Sequence, residues 1–534
     1  MGRRLRVLSA LDTAKIQYYH FRAIIIAGMG LFTDAYDFFC IPPIMNLIGH
    51  VYYPHHHSQA PTALVSALVA LALLGAAIGQ PIFGFLGDRI GRRRVYSAVL
   101  ILMMLCSLAC GFSVCTTRGC VLGSLGFFRF ALGVGIGGDY PLSATIMSEF
   151  SNQRTRGAFI AAVFSMQGFG ILASSAVTMA VCAAFQLAYG ESPTGKTPQA
   201  ADLAWRVILM AGAVPAALTF YWRIKMPETA RYTALVEENV AQAAKDMEKV
   251  LGDAMPPIPE DEEESQVALE PFNANPSPPF LRRHGLHLFA CAATWFLLDV
   301  VFYSNNLFYS QIYQDHLRDK EPNLTAFQEA FHVAKIQAIV AASSTIPGYL
   351  ATVYFIDRVG RRPIQIAGFL ALAVLFSILG AMYRRLSCTN AGFILLYGLT
   401  FFFANFGPNT TTFIVPAELF PARLRTTCHG LSGAAGKLGA IVGAVGFQWA
   451  TQRKEKKGEH LCPRRMEMTV AMVVLGGICV VGMGVTYFFT PETMGRSLEE
   501  NENDDGEAEP SSLIGVGRPT SFRRSNSGVV RPQS

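Results

Sequence analysis

The chain has 534 residues, 51% of them hydrophobic and only 15% charged, with a net charge of +6 and a mean hydropathy of +0.32. Soluble domains carry about a quarter charged residues, so this chain has too few charges to cover a water-facing surface. That excludes an ordinary soluble protein and implies an all-α integral membrane protein.

In chain order, about twelve apolar runs reach the roughly 20 residues a helix needs to cross hydrocarbon. They lie near 20–42, 62–86, 94–114, 119–147, 157–187, 204–222, 285–313, 332–356, 363–382, 391–418, 427–451 and 467–489. Met1–Tyr19 is basic and mixed, and the first run carries Asp34 and Asp37 with no small-residue cleavage site. It reads as a retained helix rather than a secretory signal. Basic residues follow the second run (Arg89, Arg92, Arg93, Arg94), the fourth (Arg154, Arg156), the eighth (Arg358, Arg361, Arg362) and the tenth (Arg423, Arg425). With the N-terminus inside, all these segments fall on one face, which the positive-inside rule makes cytoplasmic. Arg453, Lys454, Lys456, Lys457, Arg464 and Arg465 then fall outside. They form a solvated loop or a patch that steers anions. The eleven cysteines lie mostly within apolar runs, as at Cys106, Cys110, Cys182, Cys291 and Cys479. That placement suits small core residues rather than a disulfide framework. With no CxxC pair, no metal or other cofactor is expected.

Between about Lys225 and His284 the composition changes. Seven prolines from Pro256 to Pro279 and the acidic run Glu260–Glu264 mark a polar linker, helical near Arg231–Leu251 and unstructured afterwards. The tail beyond Leu498 is acidic, then rich in Ser and Arg, and cannot bury a core. Its Ser521–Ser527 segment is a potential kinase substrate. The expected organisation is a six-helix half over 1–224, a cytoplasmic linker over 225–284, a second six-helix half over 285–490 and a cytoplasmic tail over 491–534.

The two halves repeat. Gly87-Asp-Arg-Ile-Gly-Arg-Arg-Arg94 follows the second run, and Asp357-Arg-Val-Gly-Arg-Arg362 the eighth. Met226-Pro-Glu-Thr229 ends the sixth run, and Thr490-Pro-Glu-Thr493 the twelfth. Glu149 with Arg154 and Arg156 is echoed by Glu418 with Arg423 and Arg425. Internal repeats of this kind mark secondary transporters, with the substrate site between the halves near the midplane.

On these residues the chain resembles the major facilitator superfamily. More narrowly, Gly137-Gly-Asp-Tyr-Pro-Leu-Ser-Ala-Thr-Ile-Met-Ser-Glu149 is similar to the signature of plant and fungal proton–phosphate symporters. The resemblance runs from about Leu8 to Leu498, and Tyr18-Tyr-His-Phe brings it nearer the plant branch. It implies proton-coupled import of inorganic phosphate at the plasma membrane, by a transporter and not an enzyme.

Charge inside hydrocarbon costs about 2.5–3.5 kcal/mol on insertion scales and marks function. Asp34, Asp37, Asp139, Asp299 and Lys437 fall inside runs. Trp295, Asp299 and Tyr303 are four apart and share one helix face. Tyr140, Gln167 and Asn409 lie in stretches interrupted by Gly or Pro, where helices bend and expose backbone. The resemblance implies that Tyr140, Gln167, Trp295, Asp299, Tyr303, Asn409 and Lys437 contact phosphate. It assigns proton coupling to Asp34, Asp37 and Asp139. The chemistry agrees: dihydrogen phosphate accepts from Trp, Tyr, Gln, Asn and Lys, and donates a hydroxyl to a carboxylate. Sulfate has no hydroxyl to give at neutral pH, so Asp299 repels it. One negative charge entering against −100 mV costs about 2.3 kcal/mol, so at least one proton must accompany it.

Asp88, Arg89, Arg92 and Arg93, with Asp357, Arg358, Arg361 and Arg362, are expected to form cytoplasmic ion-pair gates with Glu149, Arg156 and Glu418. Gly91 and Gly360 permit the turns. Arsenate, similar in shape and protonation, is an expected competitor, and no nucleic acid is. Asn323-Leu-Thr325 is a possible glycosylation site. A phosphate receptor, or a carrier of sugars on the same fold, are the rival readings. No P-loop is present: the Gly133–Gly138 run lies in a span without a preceding strand.

Overall fold

The computed structural model describes residues 18–54, 60–189, 199–237, 239, 241–243, 245, 278–316, 324–382, 391–450 and 462–498. Most of the linker, the tail, Asn323 and the cations at 453–457 lie outside these. Every regular element among the described residues is helical.

The first span is α1 (Tyr18–Phe39) followed by α2 (Ile41–Tyr52). It runs ten residues beyond the expected run because Pro42 and Pro43 sit in the first turn of α2, where a missing N–H costs nothing. Then come α3 (Thr62–Ile90), α4 (Arg92–Gly111), α5 (Arg118–Phe150) and α6 (Arg156–Tyr189). The sixth span is broken into α7 (Ala200–Met210) and α8 (Ala213–Lys225), and the short α9 (Ala230–Leu235) follows. The second half opens with α10 (Pro278–His316). Its next span joins α11 (Ala326–Val340) to α12 (Ile346–Val359) through a π-helical turn at Ala341–Thr345. There follow α13 (Arg361–Met382), α14 (Ala391–Asn405), α15 (Pro408–Leu419), α16 (Arg425–Ala450) and α17 (Cys462–Phe489). Among the described residues, ten spans are long and apolar enough to cross a bilayer. The other two expected runs are the interrupted pair α14–α15 and the lysine-bearing α16.

Lipid is as apolar as leucine, so helices in a membrane associate through close packing and polar contacts. Both appear here. Small residues let α3 press on α5 and on α16. A Cβ at Gly133 would stand 2.0 Å from the Ala72 carbonyl oxygen, and one at Gly84 2.6 Å from that of Thr426. The break between α14 and α15 frees the Asn405 carbonyl, which accepts from Thr352 (2.8 Å) and Thr410 (2.7 Å). That re-satisfies backbone that hydrocarbon cannot hydrate.

On the face bearing the basic loops the halves are tied by mirrored contacts. The Asp88 carboxylate caps the start of α16, accepting from the Thr426 and Thr427 amides (3.2 and 2.7 Å). The Asp357 carboxylate accepts from the Ala158 amide at the start of α6 (2.7 Å). Both exploit the unpaired N–H groups and positive end of a helix. Arg92 reaches Asp88 and Glu149 (3.3 Å each) and the Ala422 carbonyl (2.6 Å), while Arg425 meets Glu149 at 2.9 Å. In the other half Arg361 bridges Asp357 (2.7 Å) and Glu418 (2.6 Å), and Arg156 of the first half donates to the Arg496 carbonyl (2.9 Å). The structure does not bring Arg89, Arg93, Arg358 or Arg362 into these ties. Arg89 lies by Phe85 and Arg358 over Tyr354, while the Arg93 and Arg362 guanidiniums bond the Ile224 and Tyr487 carbonyls in their own halves. The reason is register: one residue along the helix turns a side chain about 100° away from the partner half.

The opposite face is closed as well. His50 on α2 meets Glu329 on α11 at 3.0 Å, Thr325 donates to Gln186 (2.7 Å), and Gln337 donates to the Phe39 carbonyl (3.0 Å). Cys115, in the loop after α4, and Cys120, in the first turn of α5, form a disulfide on this face. This corrects the reading of the cysteines as core residues, which holds for Cys106, Cys110, Cys182, Cys291 and Cys479, all free and buried.

Gly91 and Gly360 stand at φ 111° and 105°, where a side chain is strained by about 1–3 kcal/mol. Gly91→Ala is expected to lower the melting temperature of the purified protein, since its Cβ would also meet Glu228 at 2.7 Å. Gly123→Ala, on an exposed helix face with nothing within 4 Å, is the matched control and should not. Equal melting of the two would refute the strain.

Candidate functional site

A buried polar cluster lies where α5 and α6 face α10, α12, α15 and α16. It starts from Lys437 on α16, whose ammonium lies 3.2 Å from Asp299 and 3.4 Å from the Tyr303 hydroxyl, both on α10. Its Nζ also lies 4.9 Å from the Tyr140 ring centre and 5.2 Å from that of Tyr303. Cations over aromatic faces are stabilised by the ring quadrupole, more so away from water.

From Tyr140 a hydrogen-bonded chain crosses between the halves. Gln167 donates to the Tyr140 hydroxyl (2.8 Å) and accepts from Tyr349 (2.6 Å), whose oxygen accepts from Asn409 (2.9 Å). Asn409 is held in turn by Asn405 at 2.7 Å. The aromatic floor is stiff: Phe164 and Phe413 stack with centroids 4.4 Å apart, and Tyr140 packs edge-on against both. Trp295 joins it through Phe413 and His429. Trp295, Asp299 and Tyr303 thus share one face of α10, as their spacing predicts. All seven residues expected around a substrate are buried and converge here. Asn409 adjoins a break, at Phe406-Gly407, whereas Tyr140 and Gln167 sit in continuous helices, with Pro141 inside α5. The glycines near these two make close helix–helix contacts, as at Gly137 and Gly168.

The carboxylates of the first half form a separate group. Asp139 neighbours Tyr140 in sequence but points elsewhere, to Arg223 (2.8 Å) and Ser143 (3.2 Å). The Arg223 contact is an ion pair by distance without hydrogen-bond alignment. Arg223 also lies over the Tyr96 ring at 3.7 Å. Gly30 on α1 admits this pair, since a Cβ there would stand 2.0 Å from Asp139. Asp34 follows one turn later on α1, buried, with neither oxygen hydrogen-bonded. Asp37 accepts from Ser107 (3.3 Å), and its carbonyl from Arg129 (2.6 Å).

Arg129, Arg223 and Tyr349 are missing from the expected residues. Arg129 was visible as a cation inside the fourth apolar run. Arg223 ends the sixth run and looks like an interfacial anchor. Tyr349 carries no signal, because a lone tyrosine in an apolar run is usually packing.

The chain matches the family described as "Sugar (and other) transporter" over residues 23–504. It is 61% identical over 510 residues to "Probable inorganic phosphate transporter 1-10" of Oryza sativa subsp. japonica, covering 93% of this chain and 92% of that protein. It is 60% identical over 518 residues to "Probable inorganic phosphate transporter 1-9" of Arabidopsis thaliana, covering 94% and 96%. "Low affinity inorganic phosphate transporter 3" of Petunia hybrida is 51% identical over 525 residues, covering 95% and 96%. Among solved structures, the major facilitator proton:xylose symporter XylE superposes with a TM-score of 0.67 at 18% identity, covering 91% of this chain and 98% of that one.

Removing one partner of a buried ion pair costs about 3–5 kcal/mol, whereas replacing both by apolar groups is often neutral. Lys437→Met alone and Asp299→Leu alone should each lower the melting temperature markedly, and the double variant should recover most of the loss. Additive losses would refute the pairing. By sequence and by fold, the chain belongs to the sugar (and other) transporter family of the major facilitator superfamily, in the branch that holds these plant inorganic phosphate transporters.

Proposed function

We propose that the chain imports inorganic phosphate, as dihydrogen phosphate, together with protons by alternating access. The observation that carries this reading is the buried Lys437–Asp299–Tyr303 cluster facing the Tyr140–Gln167–Tyr349–Asn409 chain. An anion that keeps hydroxyl groups suits it. Its negative oxygens take the Lys437 ammonium and the amide and phenol donors, and a hydroxyl donates to Asp299. The names of the relatives support the same substrate. The family also carries sugars by name, but a neutral sugar has no use for a buried ammonium. Arsenate, with the same shape and protonation, competes.

Asp34 supports the coupling. A buried carboxyl with neither oxygen bonded can take up and release a proton without breaking a pair, and each event changes the local charge by one unit. Asp139 and Asp37 lie in the same half, and Arg223 balances the first of them. One proton per phosphate cancels the electrical cost of entry, and more than one makes entry favourable. Asp88, Arg92, Glu149, Arg156, Asp357, Arg361 and Glu418 act as the inner gate, with both termini, the 225–284 linker and the 491–534 tail in the cytoplasm and the chain in the plasma membrane.

Radiolabelled phosphate uptake into transporter-deficient yeast tests the reading. Uptake should rise at acidic pH, collapse with a protonophore, and fall with arsenate but not with sulfate or xylose. No uptake despite surface expression would sink the phosphate assignment. Asp34→Asn should lose concentrative uptake yet retain phosphate exchange between preloaded vesicles and medium. Loss of exchange as well, with expression intact, would make Asp34 part of the substrate site instead.

A further inference from the structure

A cavity of about 790 Å³ opens on the face of the basic loops, away from the buried cluster. It lies between the starts of α1 and α4 and the end of α8. Four cations line it: Arg22, Arg93, Arg94 and Lys225, with the carboxylates of Glu228 and Glu237. A second cavity of about 460 Å³ shares Arg94 and Glu237 and adds Arg89.

The cations are not equally engaged. Glu228 accepts from the Arg93 and Thr229 amides (3.2 and 3.1 Å) and so closes the turn. The Arg93 guanidinium is taken by the Ile224 carbonyl (2.8 Å), and Lys225 lies 4.2 Å over the Tyr221 ring. Arg22 and Arg94, both exposed, hold no hydrogen bond or ion pair among the described residues.

The internal repeat shows that Arg94 is surplus to the gate. Arg92 corresponds to Arg361, which holds the mirrored tie. Arg93 corresponds to Arg362, whose amide meets Glu492 (3.0 Å) as the Arg93 amide meets Glu228. The counterpart of Arg94 is Pro363, which has no charge. The turn and the tie therefore need two arginines, and the first half spends a third on the cavity wall. Trp222 lines the cavity, and the exposed Phe21, Ile25 and Tyr221 neighbour its lining residues Arg22, Ile26 and Trp222 along α1 and α8, aromatic and apolar residues of the kind that sit at a lipid interface.

We propose that this cavity binds the multiply phosphorylated headgroup of an anionic membrane lipid. Arg22 and Arg94 take the phosphates, and the acyl chains run along Ile25 and Trp222. Guanidinium groups suit phosphate through paired N–H donors, and basic pockets between spans at a cytoplasmic face fit such headgroups. In the orientation proposed above this is the inner leaflet, but binding itself does not depend on that orientation or on the transported substrate.

The test uses the full chain in nanodiscs of neutral lipid, titrated with short-chain phosphatidylinositol bisphosphate, free inositol trisphosphate or inorganic phosphate. The lipid should bind more tightly than the free headgroup, and inorganic phosphate should not compete at this site. Arg22→Gln with Arg94→Gln should weaken lipid binding about tenfold or more, and the paired Lys variants should restore part of it. Phosphate uptake by the Gln variant from neutral-lipid vesicles should match wild type, which shows that it is folded. Undiminished binding in that variant would overturn the site. Free headgroup binding as tightly as lipid would overturn the lipid assignment in favour of a soluble polyphosphate.

Discussion

A charge in hydrocarbon needs a partner, and meeting that need positions the helices of this chain. The hydrophobic effect cannot do so, because lipid offers leucine the same company as a neighbouring helix. Each buried pair joins different elements. Asp139 with Arg223 fastens α5 to α8, Lys437 with Asp299 fastens α16 to α10, and the Asp88–Arg92–Glu149–Arg425 set fastens one half to the other. Asp34 stands apart, with neither carboxyl oxygen hydrogen-bonded.

The repeat explains both the likeness and the division of labour between halves. Asp88 and Asp357 perform one act, capping the start of a helix in the opposite half. The buried residues at the centre do not repeat. The first half brings two carboxyls on α1, Asp34 without a hydrogen bond and Asp37 bonded by Ser107, whereas the second brings the lysine, its aspartate and the stripe on α10.

Much of this was legible in the sequence. Run lengths gave the spans, and costly charges marked Asp34, Asp139, Asp299 and Lys437. Four-residue spacing placed Trp295, Asp299 and Tyr303 together. Less legible was which residue meets which. Arg89 and Arg93 look the same as Arg92 in the string, and only helical register separates the one that reaches the partner half. Tyr349 was hidden because its role depends on Gln167 and Asn409, 182 and 60 residues away. The disulfide was hidden because Cys115 and Cys120 share composition with the buried thiols and differ in their place, one in the loop before α5 and the other in its first turn.

The π-helical turn at Ala341–Thr345 interrupts the span that carries Glu329 and Gln337 on one side and Tyr349 and Asp357 on the other. A wider turn weakens the regular ladder of a helix and makes bending easier there. The span is therefore two rods with a joint rather than one lever. The rod bearing Glu329 can bend apart from the rod that keeps Tyr349 bonded to Gln167 and Asp357 bonded to the start of α6. In the alternating access proposed above, a rigid span would couple the two mouths directly, whereas a jointed one would let them open at different times.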